Sequence, residues 1–163
     1  MDADDLRLLR RAIAVAGVAR AAGNHPFGAV LASADAEILL EAGNTVVSER
    51  DVTGHAELNL VRLASRTLSP DNLARCTLYS STEPCAMCAG AIYWSGIGRV
   101  VYALSEGDLL RFTGADPANP TMSLPVRDVL AAGQRRIEVV GPGDLPEAAV
   151  VHEGFWAPGG SRG

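Results

Sequence analysis

Between residues 3 and 22 the apolar side chains Leu6, Leu9, Ile13 and Ala16 return at helical spacing, with Asp and Arg on the other side, which predicts an amphipathic helix. Gly23-Asn24 ends it, both residues being tolerant of positive φ. Apolar runs at 29–33 and 38–42, joined by the polar turn Ala34-Asp35-Ala36, predict a hairpin. A loop over 44–54 follows, and helical spacing resumes at 55–65, where Leu58, Val61 and Ser65 share a face with Leu60, Leu63 and Ala64 nearby. Residues 76–80 read as the next strand. Pro84 then stands in the first turn of a helix that runs to about Trp94, and Gly96 and Gly98 stop it. A strand at 99–104 precedes a stretch over 105–125 rich in Gly, Pro, Asp and Asn, expected as an irregular loop with one short helical piece. A short helix at 126–132 and a strand at 136–140 come next. Asp144-Leu145-Pro146-Glu147 is a helix-start signal, and the helix it opens is expected to carry His152, Glu153, Phe155 and Trp156. No repeat or linker breaks the pattern, so one domain is expected over residues 1–157, with a tail at 158–163. The class is α/β: a mixed sheet of about five strands with helices on both faces.

Composition adjusts this picture only slightly. A chain of 163 residues suits one core, and 48% hydrophobic with 20% charged residues is an ordinary globular balance. Charge is more informative. The net value is −5, and the basic residues are dispersed arginines, adjacent only at Arg10-Arg11 and Arg135-Arg136. A domain that grips a phosphate backbone concentrates positive charge on one face, so nucleic acid is disfavoured as a partner. No stretch approaches the roughly 20 apolar residues that span a bilayer, so no membrane association is expected. Arg10-Arg11 ahead of the apolar run from Ala12 to Ala19 imitates a secretory leader, but Asp2, Asp4 and Asp5 make the start acidic. The three cysteines, Cys76, Cys85 and Cys88, are odd in number and include a C-x-x-C pair, which is not a disulfide framework. Thiolate ligands need a reducing compartment, and a cytoplasmic location is expected.

The chemistry is concentrated in His55-Ala56-Glu57 and Pro84-Cys85-Ala86-Met87-Cys88. One imidazole and two thiolates are three ligands for a tetrahedral zinc, one ion per subunit, with the fourth position open to water. Cys85 and Cys88, three apart on a helix, face the same side of one turn. The helix start carries partial positive charge and free N–H groups that favour thiolate. Glu57, two residues from the histidine, is placed to move protons between that water and a substrate. Together the four residues point to hydrolytic removal of an amino group from a nucleobase-type ring. A C-x-x-C alone is more often half of a structural zinc site or a redox pair. A structural site, however, wants a fourth Cys or His, and His25, His152 and Cys76 lie outside any ligand spacing. Cys76 opens an apolar strand and is expected to be a buried, inert thiol.

The run His25-Pro26-Phe27-Gly28-Ala29-Val30, then His55-Ala56-Glu57, then Glu83-Pro84-Cys85-Ala86-Met87-Cys88-Ala89-Gly90-Ala91-Ile92-Tyr93-Trp94 resembles the cytidine/deoxycytidylate deaminase superfamily, most of all its guanine deaminase and nucleobase deaminase branch. The resemblance covers residues 5 to 105 and implies a three-layer α/β/α cytidine-deaminase-like fold, one Zn2+ per subunit and a homodimer. It also implies site residues. Asn44 resembles the asparagine that reads the amide edge of the base, and Phe27 the aromatic that packs on the ring. Ala56 offers a backbone N–H beside the metal ligand. Glu153, Phe155 and Trp156 resemble a C-terminal lid, with Phe112 and Asp116 as further pocket candidates. Tyr93 and Trp94 suit packing or the dimer contact better than substrate.

Three functions are weighed. The first is a deaminase of a free nucleobase or base-like heterocycle, guanine first, then cytosine, isocytosine or amino-triazines. The second is a tRNA adenosine deaminase, for which Arg111 and Arg127 supply too little basic flank. The third is a zinc-stabilised binding module, against which Glu57 and the missing fourth ligand argue.

Overall fold

The computed structural model describes residues 1–156; the expected tail at 158–163 lies outside them. Helix α1 (Ala3–Ala21) opens on a capping box in which Asp2 and Asp5 satisfy each other's backbone N–H. Its buried face is Leu8, Leu9, Ala12, Ile13, Ala16 and Ala19, which includes Leu9, Ile13 and Ala16 of the spacing read in the sequence, with Leu6 partly buried at its edge. Asp5 is also buried. It accepts from Tyr79 Oη at 3.0 Å and is gripped by both terminal nitrogens of Arg99 at 2.6 and 2.9 Å. Its carboxyl is held down at about 2, first by the Arg99 hydrogen bond.

Strands β1 (Gly28–Ala32) and β2 (Ile38–Gly43) form the expected antiparallel hairpin. A four-residue helix α2 (Val46–Glu49) occupies part of the predicted loop. Helix α3 (Ala56–Thr67) and a single turn α4 (Pro70–Leu73), capped by Ser69, lead to β3 (Thr77–Thr82). Helix α5 (Ala86–Ser95) then crosses to β4 (Arg99–Leu104), and Gly96 ends it at φ +83°, a left-handed value that glycine adopts without strain. The short helical piece expected in the irregular stretch stands at its start, as the eight-residue helix α6 (Glu106–Thr113), whose cap Ser105 accepts from Asp108 N–H. Helix α7 (Val126–Ala131), strand β5 (Glu138–Val140) and a single turn α8 (Glu147–Val150) complete the order. The expected last helix is thus only four residues long. Pro146, not Asp144, occupies its cap without a side-chain bond, and residues 151–155 continue as turns.

The sheet order is β2-β1-β3-β4-β5. Pairing is antiparallel from β2 to β3 and parallel from β3 to β5, which makes the five-stranded sheet mixed as expected. Strand alternation divides the core. Val30, Ala32, Tyr79 and Val101 point to the layer of α1, with Leu145 and Ala148 from the C-terminal region. Ala29, Leu31, Leu78 and Val100 point to the layer of α3 and α5. Gly28 lets α1 lie directly on the sheet, because a Cβ there would overlap the Ala12 carbonyl oxygen and the Ala16 amide nitrogen. Parallel strands β3 and β4 end on the same side, so the loops after both meet where α3 and α5 begin. Leu58 and Leu63, grouped with the helix core in the sequence reading, lie outside its buried face, which is Ala56, Glu57, Leu60, Val61 and Ala64.

Candidate active site

His55 is the N-cap of α3 and Cys85 the N-cap of α5, so both ligand groups sit at helix starts as the sequence implied. Pro84 stands just before the cap rather than inside the first turn. The ligand atoms of His55, Cys85 and Cys88 all lie within 4.8 Å of one another. His55 Nδ1 is 3.6 Å from Cys85 Sγ and 3.7 Å from Cys88 Sγ. Tetrahedral zinc with bonds of about 2.0 Å to nitrogen and 2.3 Å to sulfur separates such atoms by about 3.6 Å, so the donor set fits that ion. Cys85 is pushed down to about 4, chiefly by the hydrogen bond from the Cys88 thiol, with His55 and the α5 backbone also favouring its thiolate. The same bond, with burial, pushes the Cys88 thiol up. His55 is raised, first by its bond to Cys85.

Glu57 is 5% exposed, on the sheet-facing side of α3, and burial is the main cause that raises its carboxyl. Ser80, on the α3 face of β3, donates its hydroxyl to Glu57 Oε1 at 2.8 Å. Glu83 is an unforeseen member of the site. Its two carboxylate oxygens accept from Glu106 N–H at 3.1 Å and Val126 N–H at 3.0 Å, so it ties the end of β3 to the starts of α6 and α7. Glu106 in turn is raised to about 7 by burial and by the surrounding Cys85, Glu83 and Glu57 charges. Neither glutamate carries a sequence signal beyond the motif residue before Pro84, because both act across the fold.

These groups meet at an inner cavity of about 40 Å3 lined by Phe27, His55, Glu57, Cys85, Glu106 and Asn119, among others. It shares Phe27, His55, Cys85, Glu106 and Asn119 with a cavity of about 420 Å3 whose wall also includes His25, Val46, Met87 and the 117–122 loop. Phe27 is thus brought to the site as expected. Ala56, fully buried, follows His55 in the first turn of α3, where a backbone N–H has no helical acceptor. Asn44 is 2% exposed, and its Oδ1 accepts from Val46 N–H at 3.0 Å, so its carboxamide oxygen builds the turn into α2.

The C-terminal candidates are placed behind the wall rather than on it. Trp156 is 6% exposed, with its ring 5.3 Å from His25 and 6.0 Å from Phe27. It also donates its indole N–H to His152 Nδ1 at 3.3 Å. Phe155 packs edge-on against His25 and Trp156, and Glu153 is exposed. Of the secondary candidates, Phe112 lies 6.2 Å from the His152 ring and Asp116 is buried at a turn. Tyr93 packs on Arg135 and accepts from Gln134 N–H. Cys76 is buried as expected, its Sγ donating to the Asn72 carbonyl at 3.2 Å. Among the described residues no helix is long and apolar enough to cross a membrane.

Comparison with known proteins matches residues 2–104 to the family model described as the cytidine and deoxycytidylate deaminase zinc-binding region. A probable cytosine deaminase of Schizosaccharomyces pombe is 45% identical over 155 residues, 95% of this chain and 94% of that one. A guanine deaminase of Bacillus subtilis is 43% identical over 102 residues, 61% of this chain and 64% of that one. Among solved structures, a guanine deaminase from Nitrosomonas europaea superposes with a TM-score of 0.72 at 28% identity, covering 90% of this chain and 81% of the other.

Proposed function

The chain belongs to the cytidine and deoxycytidylate deaminase family, and from that premise we propose that it hydrolytically deaminates a free nucleobase, with cytosine or a cytosine-like single ring first among them. The observation that carries the reading is the convergence of His55, Cys85 and Cys88 with buried Glu57 beside a cavity that Phe27 lines. His55, Cys85 and Cys88 would hold one Zn2+ per subunit; when bound, that ion supplies a Lewis acid that makes water an effective nucleophile near neutral pH. Glu57, oriented by Ser80, takes one proton from the attacking water and passes it to a ring nitrogen, then carries the second, from the hydroxyl of the adduct, to the departing amine as the C–N bond breaks and the ring carbonyl forms. Its burial suits this shuttle, because desolvation raises the carboxyl above its ordinary range and makes it a better proton acceptor than a solvated glutamate. Phe27 packs on the ring face, the family resemblance assigns Asn44 and the Ala56 N–H to its polar edge although neither residue lines the two cavities, and Phe155 and Trp156 support His25 and Phe27 from behind.

Guanine stands first on the motifs alone. The likeness to the probable cytosine deaminase extends over 95% of the chain, which takes in the 106–122 segment that walls the cavity. That reach supports cytosine ahead of guanine. The net charge of −5 supports a small ring over a polynucleotide. The protein acts in the cytoplasm, where thiolate ligands stay reduced, and as a homodimer, for which Trp94, 81% exposed on α5, supplies an apolar anchor.

An ammonia-release screen of the zinc-loaded protein tests the proposal. Cytosine, isocytosine, guanine, adenine, ammeline, the corresponding nucleosides and a tRNA anticodon stem-loop are compared by kcat/KM. Cytosine is expected to give the highest value. Release from the stem-loop alone, or from none of the free bases, would overturn the assignment.

A further inference from the structure

Among the described residues, the buried side-chain polar atom left without a hydrogen-bond partner is Asn119 Nδ2. Buried amide N–H groups are nearly always paired, because stripping water from one without replacing its bond is unfavourable. This residue lies on the wall of both the inner cavity beside Glu57 and the larger one outside it. The loop that carries it is built firmly. Asp116 Oδ1 accepts from Ala118 N–H at 2.9 Å, and Asn119 N–H donates to the Asp116 carbonyl at 3.1 Å, which closes a turn. The hydroxyls of Thr113 and Thr121 meet at 3.1 Å and fasten the two sides of the loop together. An unpaired donor on a fixed loop at a cavity wall is a group prepared for an acceptor from outside the chain.

Resting on the base-deaminase reading, we infer that Asn119 determines specificity by donating its carboxamide N–H to the ring carbonyl oxygen of the substrate. A carbonyl oxygen has two lone pairs, so it can accept from Asn119 and still take a bond from a second donor. The class of ligand selected is an aminated heterocycle that carries an oxo group, and rings lacking the oxygen leave Asn119 unpaired and are rejected.

The test is calorimetric binding to the zinc-loaded protein of matched rings, which needs no turnover: 2-pyrimidinone against pyrimidine, and hypoxanthine against purine. The wild-type protein should prefer the oxo member of at least one pair by roughly 10- to 100-fold, in keeping with one hydrogen bond in a buried site. Asn119→Ala should reduce that preference to under about 3-fold with zinc content unchanged, and Asn119→Asp, which keeps the shape but replaces the donor, should do the same. If both variants keep the wild-type preference, or if the wild-type protein shows none, an ordered water satisfies Asn119 and the inference fails. Failure of the deaminase reading would show separately, as absent ammonia release in the screen while the oxo preference persists.

Discussion

Glu57 and Ser80 are 23 positions apart and share one hydrogen bond of 2.8 Å. That bond separates what short-range sequence can reveal from what it cannot. Cys85 and Cys88 were legible because residues three apart at a helix start face the same side, and His55 and Glu57 because an imidazole with two thiolates announces a metal and a carboxylate close by in the chain can serve its water. Ser80 and Glu83 were not, since their partners lie across the sheet and in later helices. Substitution divides their roles. Glu57→Gln keeps a similar shape but cannot shuttle a proton, so kcat is expected to fall at least about 100-fold with zinc retained. Ser80→Ala leaves the carboxylate in place but unoriented, and a loss of about 10-fold is expected, roughly the worth of one buried hydrogen bond to a charged group. Steady-state rates beside metal analysis check both. Full activity in the glutamine variant would remove Glu57 from the mechanism.

Among the elements, the long periodic helix α1, the hairpin and β4 lay within about a residue of expectation, as patterns dominated by burial on one face should. The errors gather where local signals compete with tertiary contacts. Ser105 and Asp108 carry a cap signature that the surrounding Gly and Pro residues obscured, so the short helical piece expected over 105–125 was given no position, and α6 supplies it. At the C-terminus the reverse happened. Asp144 to Glu147 looked like a strong start, yet the helix stops at Val150 because the following residues turn to bury His152 and Trp156 against Phe27 and His25. This docking has a pH signature. His152 is 1% exposed, and burial pushes its imidazole down to about 4, well below the ordinary 6.5. The unfolded chain therefore binds the proton more readily between those values. The contribution to stability is complete above pH 6.5 and is lost as pH falls through about 4, by about 3 kcal/mol in total. Denaturant melts should show wild type losing about 2 kcal/mol more than His152→Gln between pH 7 and pH 4.5. Parallel losses in the two proteins would mean that His152 does not titrate with folding.

At the scale of the whole molecule, the sheet brings the loops after β3 and β4 to the starts of α3 and α5, and the cavity forms at that meeting. One face of α5 remains uncovered. Met87 is 38% and Trp94 81% exposed, seven positions apart and so on the same side of the helix, with Gly90 and Ala91 between them. A side chain of this size left in water at the end of an otherwise packed helix is the natural centre of an interface between two subunits. Met87 also lines the outer cavity, so the proposed dimer contact would border the entrance to the site. Trp94→Asp puts a charge where that contact needs an apolar anchor, and it should do little to the fold because the side chain is so exposed. Sedimentation at micromolar concentration is expected to show wild type as a dimer and the variant shifted at least about 100-fold toward monomer, the effect of losing an interface hot spot. The variant's KM should rise as well, since the wall at Met87 would lose the neighbouring subunit's support, while its zinc content stays the same. A wild-type protein that sediments as a monomer, or a variant that dimerises unchanged, would locate the subunit contact elsewhere on the surface or abolish it.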